Sequence, residues 1–526
     1  MIADHRKTVA WVAMACCCAF APFAAAQEGA DWVPVETETY IEVNHAASLA
    51  TEIEQDPRLK ALIEPALSIH DSGKTFRELE TTLGLTPRQF LERYFGERLV
   101  LAAPAEPKEC VAISRVVEAD ANHAVTKLGL QPLADIPPFK VYKMVDGHAR
   151  VAFGAGLMVL GPGRDEDAGF FNRVVGGIQQ PGGKLASDEV FRSWTVRLPG
   201  DAAAFLLHRD PKKGETHAAT VHYSGGDVVL EYAGDSVGIR AMVARRSDAG
   251  ASDFGPVPDS ALLGAALNIS AVEKGSKLSQ KLDELLAPQS FSEAILPKLA
   301  SPWIVAVVET ECPNRADGEP EQLIPGVMVG VKLRDVSVSA ELDGVMKRFC
   351  DAFNARLVAN GFDPVDVVAI GEGDFSYHVL DIGGAVSRWF HTPELAPLAR
   401  MTYGRVGDWY VVATQEDLFL QSRKVEAGQT TSWIGPSGEP GVRFGPREGW
   451  IGVARLRGDR AGYHLGVGLN SPQFMFMDAE GVRAMRFVSQ VLRESGHVGM
   501  EWWEEDGALR VRAQLTRKEP PAPTQP

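Results

Sequence analysis

The clearest alternation of apolar and polar positions lies near the end of the chain, in HVGMEWWEEDGALRVRAQL. Leu509, Val511, Ala513 and Leu515 are separated by Arg510, Arg512 and Gln514. A period of two is typical of a strand with one buried face and one wet face. Asp506-Gly507 before this run predicts a two-residue hairpin loop that places Trp502 opposite Val511. We therefore expect an antiparallel sheet covered on one side.

A second pattern, in SAELDGVMKRFCDAFNARL, has the spacing of a helix. Apolar side chains recur at intervals of three and four residues, at Leu342, Met346, Phe349, Phe353 and Leu357. Cys350 falls on the same side of this helix, which predicts a buried thiol. A disulfide between Cys350 and Cys312 is the alternative, and their spacing does not choose between the two interpretations.

The stretch YGRVGDWYVVATQEDLFLQ combines a hairpin with a helix start. Gly407 and Asp408 predict a tight turn between two strands. Thr414 is expected to cap the next helix, and Asp417 completes a capping-box pattern in a first turn where the helix dipole favours acids. The segment GAGLMVLGPGRDEDAGFF has the same order, with Asp165–Asp167 at the helix start. The two stretches therefore indicate a structural device used twice.

The whole chain divides along these repeated patterns. A Gly-, Pro- and Ser-rich linker at 247–260 separates a first repeat, 27–246, from a second repeat, 261–517, and residues 518–526 form a Pro-rich tail expected to be disordered. Each repeat opens with a strand that reaches an asparagine, Asn44 or Asn268, and then runs β-α-β-β-α-β before a further hairpin. We predict an α+β fold of two duplicated halves. Each is a mainly antiparallel sheet with helices on one face, in ferredoxin-like order.

Residues 1–26 have the pattern of a secretory signal peptide. Arg6 and Lys7 precede a short apolar stretch, and small residues predict cleavage between Ala26 and Gln27. A retained membrane anchor and a lipoprotein modified at Cys16 are the alternatives. No later run approaches the about 18 apolar residues of a membrane helix. We therefore expect an exported protein, periplasmic or extracellular, with no membrane span after cleavage.

Charge limits the partners that this chain can bind. The formal net charge is −16, and because the predicted signal peptide carries Arg6, Lys7 and Asp4, the mature chain would carry −17. An acidic surface repels phosphate backbones and anionic lipid, so nucleic acid is not expected as a partner.

Histidines are densest in LLHRDPKKGETHAATVHY. A zinc site needs several converging ligands. His217 and His222 are an odd number of residues apart and would point to opposite faces of a strand, whereas His208 and Asp210 could share a face. Two ligands make a weak site, so we interpret these side chains as surface and edge-strand histidines.

Other candidate chemistry is diffuse. Glu372 and Asp374 lie near His378, and Glu504–Asp506 crowd a turn, but a glycosidase needs two carboxylates in one cleft. A carbohydrate platform could use Trp389, Trp409, Trp433, Trp450, Trp502 and Trp503. Trp503 is its strongest candidate, because the register puts it on the wet face, where stacking with Arg510 explains it equally well. We assign no catalytic, cofactor-binding or metal-ligating residue and no cofactor.

Several segments resemble a family of exported bacterial proteins of unknown function: LGLTPRQFLERYFGERLVLAAP, GRVGDWYVVATQEDL and GGKLASDEVFRSWTVRLPGDAAAFLLHRD. The similarity lies in the Gly96-Glu97 step before an apolar strand, the Gly-Asp hairpin, and a helix start with Ser187 and Phe191. The second repeat lacks counterparts of Ser187 and Phe191. The resemblance implies an exported duplicated α+β protein, and it supplies no catalytic residues.

Two functions from different classes remain. The first is a non-enzymatic exported protein that binds another protein or a cell-envelope component through sheet edges or grooves. The alternative is an extracytoplasmic hydrolase with carboxylates in an interdomain cleft. Converging buried carboxylates or histidines would favour the hydrolase.

Overall fold

The structure is a computed structural model. It describes residues 28–45, 48, 55–56, 81–105, 107–145, 147, 149–198, 202–224, 227–235, 254–268, 280, 283–284, 291–311, 323–371, 376–383, 400–433, 450–469 and 479–517. The predicted signal peptide and Pro-rich tail lie outside these residues.

The described helices are α1 (Pro87–Phe95), α2 (Glu118–Lys127), α3 (Gly169–Gly177), α4 (Glu189–Thr195), α5 (Ser339–Ala359), α6 (Glu416–Glu426), α7 (Gly458–Gly468) and α8 (Ala479–Glu494). The first strands are β1 (Thr39–Asn44), β2 (Arg98–Ala103), β3 (Val111–Arg115), β4 (Gln131–Pro132), β5 (Lys140–Lys143), β6 (Ala149–Gly154), β7 (Leu157–Pro162), β8 (Ala204–Asp210), β9 (Glu215–Ser224) and β10 (Asp227–Gly234). The later strands are β11 (Ala261–Leu267), β12 (Leu299–Glu311), β13 (Leu323–Leu333), β14 (Val367–Ile370), β15 (Tyr377–Asp381), β16 (Arg400–Val406), β17 (Trp409–Ala413), β18 (Trp450–Arg457), β19 (Ser495–Glu505) and β20 (Ala508–Arg517).

The chain forms two compact units. Unit 1 contains the described residues of 28–235, 462–496 and 510–517, and unit 2 contains those of 236–461 and 497–509. The sequence pattern kept 261–517 together in one repeat. Residues 510–517 belong instead with unit 1, where Gln514 Nε2 donates to Asp227 Oδ2 at 2.8 Å. The end of the predicted linker is also packed structure, since Phe254 and Val257 are buried in the core of unit 2.

The sheet of unit 1 has the strand order β4-β5-β6-β7-β3-β2-β1-β8-β9-β10. The sheet of unit 2 has the order β14-β15-β16-β17-β13-β12-β11-β18-β19. All of these pairings are antiparallel. The fold is therefore α+β with antiparallel strands. In unit 1, β1 pairs directly with β2, whereas a split β-α-β unit has a third strand between these two.

Helices cover both faces of the unit 2 sheet, so the prediction of helices on one face is wrong. Leu342 of α5 packs in a cluster with Val331 and Val412, whereas Leu418 of α6 packs with Met328 on the opposite face. Successive side chains of a strand point to opposite faces. Because both sets are apolar along β13 and β17, each face needs its own cover.

The turn predictions are confirmed. Val406 pairs with Trp409, which leaves Gly407 and Asp408 as a two-residue loop, and Gly407 has φ +57°. Asp506 and Gly507 both have positive φ, +50° and +74°, as the favoured two-residue hairpin turns require.

The prediction of which strand and helix positions face solvent is less accurate. Trp503 is only 7% exposed and Arg510 only 8%, so neither side chain faces solvent. On α5, Leu342, Cys350 and Leu357 are buried, but Phe349 is 54% exposed. Cys350 is a buried free thiol, which confirms the buried-thiol interpretation, and Cys312 lies outside the described residues.

A candidate binding groove in unit 2

Unit 2 contains an open groove of about 960 Å³. We call it the α6 groove. Its lining comes from the end of β12, the β16–β17 turn, one side of α6, and single residues from two other segments, Ser260 and Arg460. Its charged members are Glu309, Arg405, Asp417, Arg423, Lys424, Glu426 and Arg460.

Helix α6 forms one wall because its sequence is amphipathic. Leu418, Phe419, Ser422 and Val425 face the core, and Asp417, Leu420, Gln421 and Lys424 line the groove at helical spacing. The helix ends in a Schellman motif: Gly428 N donates to Val425 O at 2.9 Å, and Gln429 N donates to Lys424 O at 2.8 Å. Gly428 adopts φ +68°, which suits that motif. The end of this wall is therefore fixed by local sequence.

The start of α6 differs from the prediction. Its N-cap residue is Gln415, and no side-chain hydrogen bond caps the first turn. Thr414 lies one residue earlier and is tied to β13: Thr414 N donates to Val327 O, and Val327 N donates to Thr414 Oγ1, both at 2.9 Å. The predicted Thr414 cap is wrong because a neighbouring strand takes the hydroxyl. Glu416 and Asp417 do lie in the first turn, as expected.

The β16–β17 turn closes a second side of the groove. A Cβ at Gly407 would stand 2.2 Å from Glu426 Oε1, so this carboxylate lies directly against the turn. Arg405 Nε donates to Gly407 O at 3.0 Å. The Glu426 carboxylate and the Arg405 guanidinium therefore lie beside the same backbone turn.

A buried carboxylate contributes to the groove lining. The side chain of Glu309 is only 4% exposed, and Arg460 Nη1 lies 2.9 Å from its Oε2 atom. Next to it, the Thr310 hydroxyl donates to the side-chain oxygen of Gln415, and both residues are buried. Burying a charge is costly unless it is paired, so the buried Glu309 carboxylate requires the Arg460 guanidinium beside it.

The α6 groove is thus open to solvent and carries charges of both signs. Sites for small drug-like molecules are predominantly apolar with few polar groups. Seven residues of the groove lining are charged, and Val406, Leu420 and Ala427 are its apolar residues. Arginine is enriched at protein interfaces. The groove suits a polar segment that carries its own charges better than a compact apolar ligand.

The histidine region of unit 1 is only partly as predicted. His208 and His217 are cross-strand partners on β8 and β9. His222 lies on the opposite face of β9, and its Nε2 atom is 3.2 Å from Thr220 Oγ1. In the described residues, no group of three or more His, Cys, Asp or Glu side chains could hold a metal ion.

The other candidates from the sequence do not come together. Trp409, Trp433 and Trp450 are buried in the core of unit 2, which rules them out as a carbohydrate platform. Glu505 and Asp506 are exposed at a turn, as predicted. Glu372, Asp374 and Trp389 lie outside the described residues.

A polar cluster beneath α5 has no counterpart among the sequence patterns. Tyr410 Oη donates to Asp343 Oδ1 at 2.9 Å, and the His378 ring stacks on Tyr403 with centroids 5.1 Å apart. Tyr403 also shares a hydrogen bond with the Cys350 thiol. Burial raises the pKa of Tyr403, Tyr410 and Cys350. These groups therefore stay protonated and act as packed hydrogen-bonding side chains.

Comparison with known proteins adds little. No family model matches the chain, and no curated protein matches it. Among solved structures, crystal form IV of TP0453 is 12% identical, with 41% of this chain and 83% of that chain covered and a TM-score of 0.25. Crystal form III of TP0453 is 10% identical, with 44% and 90% covered and a TM-score of 0.26. Similarity at this level carries no conclusion about fold or function.

None of the helices in the described part of the chain has both the length and the apolar character needed to cross a membrane.

Proposed function

We propose that this chain is an exported, non-enzymatic α+β protein that binds a segment of another protein, or a cell-envelope component, in the α6 groove. The mixed charge of the groove is the observation that carries the proposal. Arg405, Arg423 and Lys424 stand beside Asp417 and Glu426. Charged groups of both signs arranged in this way favour a complementary charged partner and reject others.

The proposal includes a duplicated architecture within an exported bacterial family. Its support is the chain order β-α-β-β-α-β that the sequence predicts for both repeats, together with the matching strand order of the two sheets. In unit 1 the order β3-β2-β1-β8-β9 follows β7, and in unit 2 the order β13-β12-β11-β18-β19 follows β17. The signal-peptide pattern supports export.

Charge reversal in the groove tests the proposal. We expect affinity capture of the tagged, exported protein from its own cell envelope to recover a partner, and Lys424→Glu to lose it. Lys424 lies near the end of α6, and the matched control Lys127→Glu changes an exposed lysine at the end of α2. Recovery of the same partner by the Lys424→Glu variant would remove the groove from the proposal.

The hydrolase alternative has a separate outcome. Glu309 is the buried carboxylate of the groove. Activity on a panel of extracytoplasmic polymers that disappears in Glu309→Gln, in a preparation that recovers no partner, would replace the binding function with a catalytic one.

A further inference from the structure

The unit 2 sheet ends in a short edge strand, β14. It pairs on one side with β15, from Val367 opposite Leu380 to Ile370 opposite Tyr377, and in the described part of the chain no second strand pairs with it. In an antiparallel pair, alternate residues direct their backbone N–H and C=O groups toward the neighbour, and the others direct theirs away. The outer side of β14 therefore presents backbone donors and acceptors to an added strand.

Contacts on both faces of the sheet hold this edge in place. Val367 packs against the core beneath α5, and Ile370 packs against the core on the α6 face. Just before the strand, the Asn354 side chain of α5 satisfies both backbone groups of Val365. Val365 N donates to Asn354 Oδ1, and Asn354 Nδ2 donates to Val365 O, each at 2.7 Å. The edge is thus preformed, which lowers the ordering cost of binding a partner.

The edge at the same position in unit 1 is blocked. The strand order β4-β5-β6-β7-β3 matches β14-β15-β16-β17-β13, so β4 occupies the place of β14. Strand β4 consists only of Gln131 and Pro132, and proline has no N–H group to offer an added strand. Proteins commonly protect sheet edges with prolines or charges. The four residues of β14 include neither, and Val368 among them is 52% exposed.

The charge around β14 indicates which partner it fits. Asp363 and Asp366 precede the strand and are exposed, and Glu372 and Asp374 follow it in the sequence. No lysine, arginine or histidine lies between 363 and 374. Acidic residues on both sides attract a segment with basic flanks. They also oppose the pairing of two β14 strands from different copies, which would bring acidic residues together.

We propose that β14 binds an extended segment of another protein as an additional strand of the unit 2 sheet. The segment carries apolar side chains at alternate positions, one of which packs on Val368, and lysine or arginine on each side of them. Strand addition draws affinity from main-chain hydrogen bonds and specificity from the alternate side chains. No residue of β14 lines the α6 groove, so this edge adds a second surface to the proposed binding function.

A synthetic strand tests the proposal. The probe is a fluorescein-labelled peptide of alternating valine and threonine with a pair of lysines at each end, and fluorescence anisotropy measures its binding to the full exported protein. We expect saturable binding that is at least about tenfold weaker in Val368→Lys and in Asp366→Lys, and equally weakened when glutamates replace the lysines of the probe. The matched control Val196→Lys changes an 85% exposed valine of unit 1 and should bind as the wild type does. Lys424→Glu should also bind the probe normally, so the edge and the α6 groove fail independently.

Hydrogen exchange followed by mass spectrometry locates the bound probe. We expect slower exchange in the fragment that contains Val367–Ile370, with circular dichroism confirming that each variant is folded. Absence of saturable binding, or protection elsewhere in the chain with none at β14, would overturn the proposal. Equal affinity for the lysine-flanked and glutamate-flanked probes would overturn it as well. So would a concentration-dependent dimer of the wild type that Val368→Lys abolishes, because β14 would then pair with a second copy of this chain.

Discussion

Asn44 and Asn268 make the same two hydrogen bonds at the ends of their strands. Asn44 donates from its backbone N to Ala203 O at 3.0 Å and from Nδ2 to Ala202 O at 3.3 Å. Asn268 donates from its backbone N to Ile451 O at 2.8 Å and from Nδ2 to Trp450 O at 3.1 Å. In both units one asparagine ties the end of a central strand to the start of its neighbour. The sequence pattern places both asparagines at the ends of strands but does not indicate what their side-chain amides bind.

Replacing either asparagine should destabilise its own unit. Asn44→Ala and Asn268→Ala each remove a buried donor, and we expect a loss of about 1–3 kcal/mol in the free energy of unfolding, measured by urea denaturation. The loss should be larger for Asn268, because its Oδ1 atom also accepts from Ser301 Oγ at 2.6 Å. Asn122→Ala changes an exposed asparagine on α2 and should not destabilise the protein. Equal stability of all three variants would show that the side-chain amide bonds are not needed.

Thr414 should stabilise strand pairing and not the start of α6. Thr414→Val removes the acceptor of the Val327 N–H group, whereas Thr414→Ser keeps it. We expect Thr414→Val to cost at most about 1 kcal/mol, because this exposed site lets water replace the lost bond. Hydrogen exchange followed by mass spectrometry should become faster in the β13 peptide that contains Val327. Faster exchange confined to the first turn of α6 would restore the capping interpretation.

Two glycines allow groove geometry to be separated from stability. Gly407 and Gly428 both have positive φ, +57° and +68°, so alanine at either position should cost about 1 kcal/mol or more. A Cβ at Gly428 meets nothing within 4 Å, but at Gly407 it must displace Glu426. We therefore expect Gly407→Ala to weaken partner capture and Gly428→Ala to leave it unchanged. Equal capture by both variants would show that the position of Glu426 does not matter for binding.

Local sequence predicted those parts of the fold that local chemistry determines. The hairpins at Gly407-Asp408 and Asp506-Gly507 follow from the conformations that these turn residues accept. Thr414 was misassigned because its hydroxyl has a non-local partner, Val327, which no local pattern reveals.

Local patterns do not determine which strand faces are buried or which residues form the groove. Period-two alternation distinguishes two faces of a strand but does not tell whether both are covered, and so Arg510 was placed in water although it is buried. The α6 groove joins Ser260, Glu309, Asp417 and Arg460 from four separate segments. These residues form no motif along the chain, because only the tertiary fold brings them together.

The last prediction concerns a buried carboxyl in unit 1. Glu42 lies in the sheet at 1% exposure, accepts a hydrogen bond from Tyr40 Oη, and has Arg98 Nε 3.1 Å from its Oε1 atom. Burial is the largest influence and raises the pKa of Glu42, although Tyr40 and Arg98 oppose that change. The folded chain therefore holds this proton at pH values where the unfolded chain has released it.

The sign of the pH dependence follows from this difference in bound protons. Above the unfolded pKa of about 4.3, the folded state binds more protons at Glu42 than the unfolded state does, so the free energy of unfolding falls as pH rises through that window. Glu42→Gln mimics the protonated carboxyl and removes this contribution. In urea denaturation from pH 4.5 to 8, we expect the stability of the wild type relative to Glu42→Gln to decrease as pH rises. An increase with pH would mean that the ion pair with Arg98 outweighs burial and that Glu42 is held as a carboxylate.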